Sequence, residues 1–128
     1  MSRVTHVNPP ELHTSPFYSQ GTLVDAGRTL YVGGQNGTDA SGAIAGGARE
    51  QSAQALRNVL AVLAAAGATQ EDVVHLRVHL AAEVDLDEAY GAVAEVWGAH
   101  ATALTVVWVV RLGRPEALVE VDAVAALP

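Results

Sequence analysis

Residues 102–110 read TALTVVWVV, a run in which the two threonines are the only polar side chains. Successive side chains of a β-strand point to opposite faces, so Leu104 and Val106 share one face while Val107 and Val109 share the other. Helices of a small α+β domain cover one face of a sheet and leave the other open. We therefore predict that sheets of identical subunits pack together and bury the second face in a symmetric homo-oligomer.

The residue patterns on either side of this strand predict an α+β fold in the order ββαβαββ, with two helices on one face of a mixed sheet. Apolar residues recur at helical spacing from Ala48 to Ala66, with Gly67 as the C′ residue, and from Asp85 to Gly98, with Asp85 as the N-cap. The strand patterns cover Thr22–Asp25, Thr29–Gly33, Val73–Leu80, Leu104–Leu112 and Ala117–Ala126.

Two further features concern the N-terminal part of the chain. The first twenty residues contain three prolines, which predicts an extended leader that lies over the domain. The two strand patterns that follow are separated by Ala26-Gly27-Arg28, and this spacing is typical of a β-hairpin.

Composition limits the classes of partner. The 128 residues predict a single domain over residues 1–128, and 14 acidic against 7 basic residues, none of them lysine, give a net charge of −7. Nucleic acid and anionic membrane surfaces are therefore poor partners. Cysteine is absent, which excludes disulfides and thiolate chemistry. The N-terminus does not resemble a secretory signal, so we expect a cytoplasmic protein.

Few side chains stand out as candidates for chemistry. His75 and His79 share a strand face with Arg77, but an adjacent guanidinium disfavours a cation, so we expect no metal site there. The carboxylates of Glu120 and Asp122 share one face of the last strand, where they either face solvent at an edge or line a pocket. In a pocket, such a carboxylate could orient water or accept a proton.

Other motifs indicate no cofactor. His6, His13 and His100 lie in predicted loops or ends without evident triad partners, so we assign them no role. The glycine-rich segments GGQNG and SGAIAGG fit neither a P-loop nor a dinucleotide fingerprint.

Five segments together resemble one family. They are SPFYSQG, LYVGGQ, QALRNVLAVLAAAGA, DVVHLRVHL and VVRLGRPEALVEVDAVA, which occur in this order between about Asn8 and Ala126. They resemble the RidA family, also called YjgF-type reactive-intermediate deaminases. The resemblance implies a chorismate-mutase-like fold and a homotrimer with a small-molecule cleft between each pair of subunits. It also implies cofactor-independent hydrolysis of 2-imino or enamine acids to 2-oxo acids and ammonia.

The resemblance assigns roles to individual residues. The family's cleft tyrosine corresponds to Tyr18, its backbone-donating glycine to Gly34, and its water-positioning glutamate to Glu120. By the same resemblance, Glu120 and Tyr18 are the expected catalytic residues. Gly34 and its neighbour Gln35 are expected to bind substrate, together with Leu104 and Val106 on the fifth strand.

One family position is changed. The family's substrate-binding arginine lies in a P-A-R-x-x-V-like segment, and the matching residues here are Thr102, Ala103 and Leu104. Arg111 matches a different family position and does not substitute for it. A guanidinium would pair with the carboxylate of an imino acid, so its loss predicts weak binding of ordinary imino acids.

Three functions follow from this pattern. The first is hydrolysis of an enamine or imine with a non-standard substrate, and the alternative is a noncatalytic trimer that binds small metabolites in the same cleft. The third is the ribonuclease activity attributed to some members of the family, which the acidic composition disfavours.

Overall fold

The computed structural model describes residues 3–25 and 27–128 and consists of a four-stranded sheet, a separate strand pair and two helices. The elements, in chain order, are β1 (Val4–Val7), β2 (Gly21–Val24), β3 (Arg28–Gln35), α1 (Ala48–Ala65), β4 (Val73–Ala81), α2 (Leu86–Ala92), β5 (Ala103–Val109) and β6 (Val119–Leu127). A 3₁₀ turn, Gln70–Asp72, precedes β4, and a π-type turn, Val93–Trp97, follows α2.

The larger sheet has the strand order β3-β6-β4-β5. Among the described strands of this sheet, β4 and β5 pair in parallel, with Leu76 beside Leu104, and the other pairs are antiparallel. The long β6 therefore lies at the centre, and β3 and β5 lie at the two edges. The α+β class, the mixed sheet and the two helices agree with the sequence-based expectation.

The core lies between the helices and one face of this sheet. Leu56, Val59 and Leu63 of α1 are at most 1% exposed and belong to the same apolar cluster as Leu76 of β4 and Val121 of β6. Because strand side chains alternate, the residues between these sheet positions point to the open face. That face is polar at its centre, as the alternating pattern of residues 73–80 predicts.

Both helix boundaries proposed from capping signals are confirmed. Gly67 has a φ of +78° just after α1, and Ala68 donates its backbone N–H to the Leu63 carbonyl (2.8 Å), which closes the last turn. The Asp85 carboxylate accepts the backbone N–H of Asp87 (3.2 Å) at the start of α2.

The predicted N-terminal hairpin is wrong. β2 pairs with β1, where Val4 faces Val24, and β3 pairs with β6 across the sheet. Residues 22–24 and 29–33 are strands as expected, but each of the two strands pairs with a more distant part of the chain. Ala26, in the proposed turn, lies outside the described residues.

Three other expectations need correction. The N-terminal leader contributes β1, an additional strand that the sequence-based order lacks. The second helix stops at Ala92, because the backbone then forms the wider π-type turn that ends at Gly98 with a φ of +77°. The fifth strand ends at Val109 rather than Leu112.

Candidate functional site

Glu120 lies on the open face of the central strand β6, next to a β-bulge in β3. The β3–β6 register shifts between Val32 and Gln35, which leaves Gly33 and Gly34 at the irregularity. A Cβ atom on Gly34 would lie only 2.6 Å from Oε2 of Glu120. The absence of a side chain at Gly34 therefore makes the space that the Glu120 carboxylate occupies.

Asn36 is the second neighbour of this carboxylate. Its Nδ2 donates to the Val119 carbonyl at 3.1 Å and also contacts Oε1 of Glu120 at 3.5 Å. Gln35, expected from the family resemblance to bind substrate, donates its side-chain amide to the Gly33 carbonyl (3.1 Å) in the single chain. Sequence reasoning missed Asn36, although its position directly after the GGQ segment is a usable signal.

The other carboxylate of this strand belongs to an ion pair. Oδ1 of Asp122 lies 2.7 Å from Nε of Arg77, and its Oδ2 lies 3.8 Å from Nδ1 of His79. Asp122 is 9% exposed, so the pair holds a nearly buried charge on a central strand. The sequence analysis expected the two carboxylates either to face solvent at a sheet edge or to line a pocket. Because β6 is a central strand, neither carboxylate lies at an edge.

His79, which the sequence analysis considered only as a metal ligand, lies opposite Glu120 in the β4–β6 register. Its Nδ1 is buried and has no hydrogen-bond partner. His75, on the same face, bonds Thr105 Oγ1 through Nε2 (2.9 Å). Across residues 3–25 and 27–128, the His, Asp and Glu side chains form no group of three that could hold a metal ion.

Tyr18 and Leu104 lie at the opposite end of the sheet, on β5 and the segment that runs beside it. Ser19 donates its backbone N–H to the Thr102 carbonyl (2.9 Å) and forms an isolated bridge to Ala103. Tyr18 is thereby held near the start of β5. Leu104 and Val106 are partly buried and pack against the core on the helix side of the sheet.

An apolar cavity of about 370 Å³ adjoins Leu104 between the helices and the sheet. Phe17 and Tyr90 are among its lining residues and stack on each other, with ring centroids 6.1 Å apart and an interplanar angle of 15°. Burial raises the pKa of the Tyr90 phenol above its usual value near 10, and the nearby Tyr18 phenol adds to the effect. The phenol of Tyr90 is therefore neutral at physiological pH.

The remaining histidines also have definite surroundings. The Nδ1 atom of His6, which the sequence left without a partner, lies 2.8 Å from the hydroxyl of Ser19. That hydroxyl also donates to the Ala101 carbonyl, so its proton is engaged and the pair is structural. His100 lines the apolar cavity, and its carbonyl accepts Nε1–H of Trp97 (3.3 Å).

The two groups of candidate residues do not meet within one chain. Glu120 and Gly34 lie on the open face at β6 and β3, whereas Leu104 lies on the helix side of β5. β4 separates β6 from β5, so the two groups are about 10 Å apart laterally as well as on opposite faces. Within one chain these two groups of residues therefore do not form a single site.

Comparison with known proteins identifies the family. A family model described as Endoribonuclease L-PSP matches residues 10–127. A solved structure of a conserved Rid-family protein from Yersinia pestis has a TM-score of 0.87 and 34% identity, covering 98% of this chain and 99% of that one. The chain belongs to the RidA family. The resemblance noted in the sequence is thus confirmed.

Curated relatives of this RidA-family chain differ in how fully they are covered. The 2-iminobutanoate/2-iminopropanoate deaminase of Rattus norvegicus is 43% identical over 82 residues, which cover 62% of this chain and 56% of that protein. A RutC family protein of Pyrococcus horikoshii is 33% identical over 110 residues, covering 84% and 85% of the two chains. The chain therefore spans about half the length of the mammalian deaminase that it matches.

Among the described residues, no helix is long and apolar enough to cross a bilayer.

The raised pKa of Tyr90 predicts how stability depends on alkaline pH. The folded state holds the phenol proton more tightly than the unfolded chain, so this contribution is fully present below about pH 10 and is lost as the pH rises further. Between pH 9 and pH 11 we expect the free energy of unfolding to fall more steeply for the native protein than for Tyr90→Phe. Urea denaturation of both proteins across this range measures the difference, and parallel pH profiles would contradict the assignment.

Proposed function

We propose that this RidA-family chain is a cofactor-independent imine or enamine hydrolase whose substrate lacks the carboxylate of an ordinary 2-imino acid. The observation that carries the proposal is the Glu120 carboxylate, held against the side-chain-free Gly34 with Asn36 beside it. The name of the Rattus norvegicus relative, an imine deaminase, supports the same reaction class.

The reaction adds water to a C=N bond and releases ammonia. Glu120 accepts a proton from the attacking water while the oxygen bonds to the imine carbon, and the nitrogen takes up a proton. The resulting amino alcohol loses ammonia as the C–N bond breaks, and the hydroxyl loses its proton to give the carbonyl product. The backbone N–H of Gly34, next to the bulge, orients the substrate, and Tyr18 from the other group orders the cleft.

The separation of the two groups of residues leads us to propose a shared site in a homotrimer. Glu120 of one chain would face Leu104 and Tyr18 of the next, because one chain keeps them on opposite faces of the sheet. Exposed apolar side chains on the open face support burial by a second copy: Tyr31 is 77% exposed and Val107 is 39% exposed.

The oligomer predicts a definite mass in solution. Light scattering coupled to gel filtration should give a single species of three times the 13.2 kDa chain mass at micromolar concentration. The same mass should persist on tenfold dilution, since the apolar side chains exposed on the single chain, such as Tyr31 and Val107, would be buried between subunits. A monodisperse monomer would contradict both the trimer and the shared site.

Glu120 is expected to be essential for turnover. Glu120→Gln keeps the size of the side chain but removes the proton acceptor, so we expect a loss of at least about a hundredfold in ammonia release from freshly generated imines. The matched control is Glu116→Gln, which alters an exposed carboxylate paired with Arg114 (2.6 Å). Equal rates for native protein and Glu120→Gln, with a normal trimer mass, would reject catalysis by this carboxylate.

Leu104 determines substrate class in this proposal. Restoring a guanidinium with Leu104→Arg should raise kcat/KM for 2-iminopropanoate by about tenfold or more, because one charge-assisted hydrogen bond contributes about 1.5–3 kcal/mol. Leu104→Met, similar in volume and uncharged, is the control and should show no gain.

A mixing experiment tests whether the cleft is shared. The double variant Leu104→Arg/Glu120→Gln should be inactive alone on 2-iminopropanoate. Co-assembled with native chains, it should regain activity, since its arginine then faces a native Glu120. No recovery in mixed trimers of verified composition would place the two residues in separate sites.

A noncatalytic role is the second candidate, and the leucine at position 104 favours it. A cleft without the arginine could hold a neutral metabolite without turning it over. Ammonia release at the buffer rate from both imino acids and neutral imines, with saturable binding of either product class, would select this function over hydrolysis.

A further inference from the structure

His79 stands beside Glu120 on the open face of the sheet. The two residues are directly opposite in the β4–β6 register, and such cross-strand neighbours have Cβ atoms about 4.5–5.5 Å apart. The Glu120 carboxylate leans away from β4, because its Oε2 occupies the space beside Gly34 on β3. This leaves room for a water molecule between carboxylate and imidazole, since two hydrogen bonds through one oxygen span about 5.5 Å.

One nitrogen of the imidazole faces the second carboxylate of β6. Nδ1 of His79 is buried, has no hydrogen-bond partner and lies 3.8 Å from Oδ2 of Asp122. This distance is longer than a direct hydrogen bond, as is common for catalytic pairs before substrate binds. A buried polar atom without a partner is rare in folded proteins, so the nearby carboxylate oxygen is the natural acceptor for a proton on Nδ1.

Arg77 fixes the orientation of the Asp122 carboxylate. Its Nε lies 2.7 Å from Oδ1, which engages one oxygen and leaves Oδ2 for the ring of His79. A carboxylate that faces Nδ1 keeps the proton of a neutral imidazole on that nitrogen. Nε2 of His79 therefore carries a free lone pair and can accept a hydrogen bond.

His75 provides a comparison on the same face of β4. Its Nε2 lies 2.9 Å from Oγ1 of Thr105, a neutral hydroxyl, and Val124 stands opposite it on β6. Of the two histidines, only His79 combines an orienting carboxylate with Glu120 as its cross-strand neighbour.

We propose that His79 is a second catalytic residue of the proposed hydrolysis, on which this inference rests. Nε2 of His79 accepts one hydrogen of the attacking water while the Glu120 carboxylate accepts the other. Asp122 is a positioning residue that holds the ring in the tautomer with a free Nε2. With both hydrogens engaged, a lone pair of the water oxygen is directed to the imine carbon.

Two acceptors match the two protons that leave the water during one turnover. When the water oxygen bonds to the carbon of a protonated imine, Glu120 takes the first proton and passes it to the nitrogen. The C–N bond then breaks and ammonia leaves. As the carbonyl forms, the hydroxyl gives its proton to Nε2 of His79, and the imidazolium beside Asp122 releases it to solvent.

The pH dependence follows from the groups around the ring. On the open face, the neighbours of His79 are Arg77 on its own strand, Glu120 and Asp122 on β6, and the uncharged Val107 on β5. Protonation of the imidazole turns Nε2 from an acceptor into a donor. Turnover should therefore fall as the pH decreases through the range in which imidazoles titrate, about pH 5 to 8.

The kinetic test compares two substitutions of one residue. His79→Phe keeps a flat ring but removes the acceptor, so kcat for ammonia release should fall about tenfold or more, with KM within about twofold of native. His79→Gln places a carbonyl oxygen near the position of Nε2, so it should retain more of the rate and lose the decline between about pH 8 and pH 5. His75→Phe is the matched control and should keep both the rate and the decline.

A second measurement needs no substrate. ¹⁵N spectra of the histidine rings at about pH 8.5, where ordinary imidazoles are neutral, should show the proton of His79 on Nδ1. Asp122→Asn should move it to Nε2, because Arg77 retains the amide oxygen and the amide nitrogen then faces Nδ1 as a donor.

The outcomes separate this inference from the hydrolysis itself. Native kcat in a folded His79→Phe protein would overturn the role of His79 and leave the hydrolysis intact. A proton on Nε2 in the native ring would overturn it as well, even if His79→Phe does not fold. If the native protein hydrolyses no imine, the proposed function fails and the catalytic role fails with it, while the ring spectra still report whether Asp122 orients His79.

Discussion

The alternation of side chains along the β4–β6 pair is the constraint on which the rest of the structure depends. Leu76 of β4 and Val121 of β6 point to the helices and complete the core. The residues that alternate with them along each strand must therefore point away from the helices. A shift of one residue in register would exchange the faces and bury Arg77 among the core side chains. The same rule that builds the core thus displays every ionisable side chain of these two strands on the opposite face.

This constraint also divides the candidate site. The carboxylate of Glu120 has to lie on the polar face, whereas position 104 lies on the apolar face at the sheet edge. A leucine at that position is compatible with its surroundings, since it contacts a cavity with apolar walls. An arginine would have to carry its charge past those walls to reach an anion, and its head group would need a partner there. The side chain at position 104 therefore affects both the kind of ligand group that the cleft can bind and the polarity of the cavity wall.

The sequence predicted the local features better than the pairing. The spacing of apolar residues predicted both helices and five strands, and the cap residues Gly67 and Asp85 predicted where α1 ends and α2 begins. These predictions succeeded because such signals depend on residues within one or two helical turns of each other. The hairpin prediction failed because β3 pairs with the central strand β6, more than eighty residues further along the chain, and no local pattern encodes that choice. Glu120 and Gly34 were identified by family resemblance, but their direct contact depends on the bulge. The cavity beside Leu104 is formed by both helices and the sheet together, so it was not visible in the sequence.

The segment that precedes β2 has a further structural consequence. By bonding to the carbonyl of Thr102, the backbone of Ser19 occupies the outer hydrogen-bonding edge of β5 at its first residues. An uncovered edge of a strand as apolar as TALTVVWVV would recruit strands of other chains and lead to fibrous association. The bridge at Ser19 covers this edge at its first residues and shortens the length of apolar strand edge that could pair with another chain.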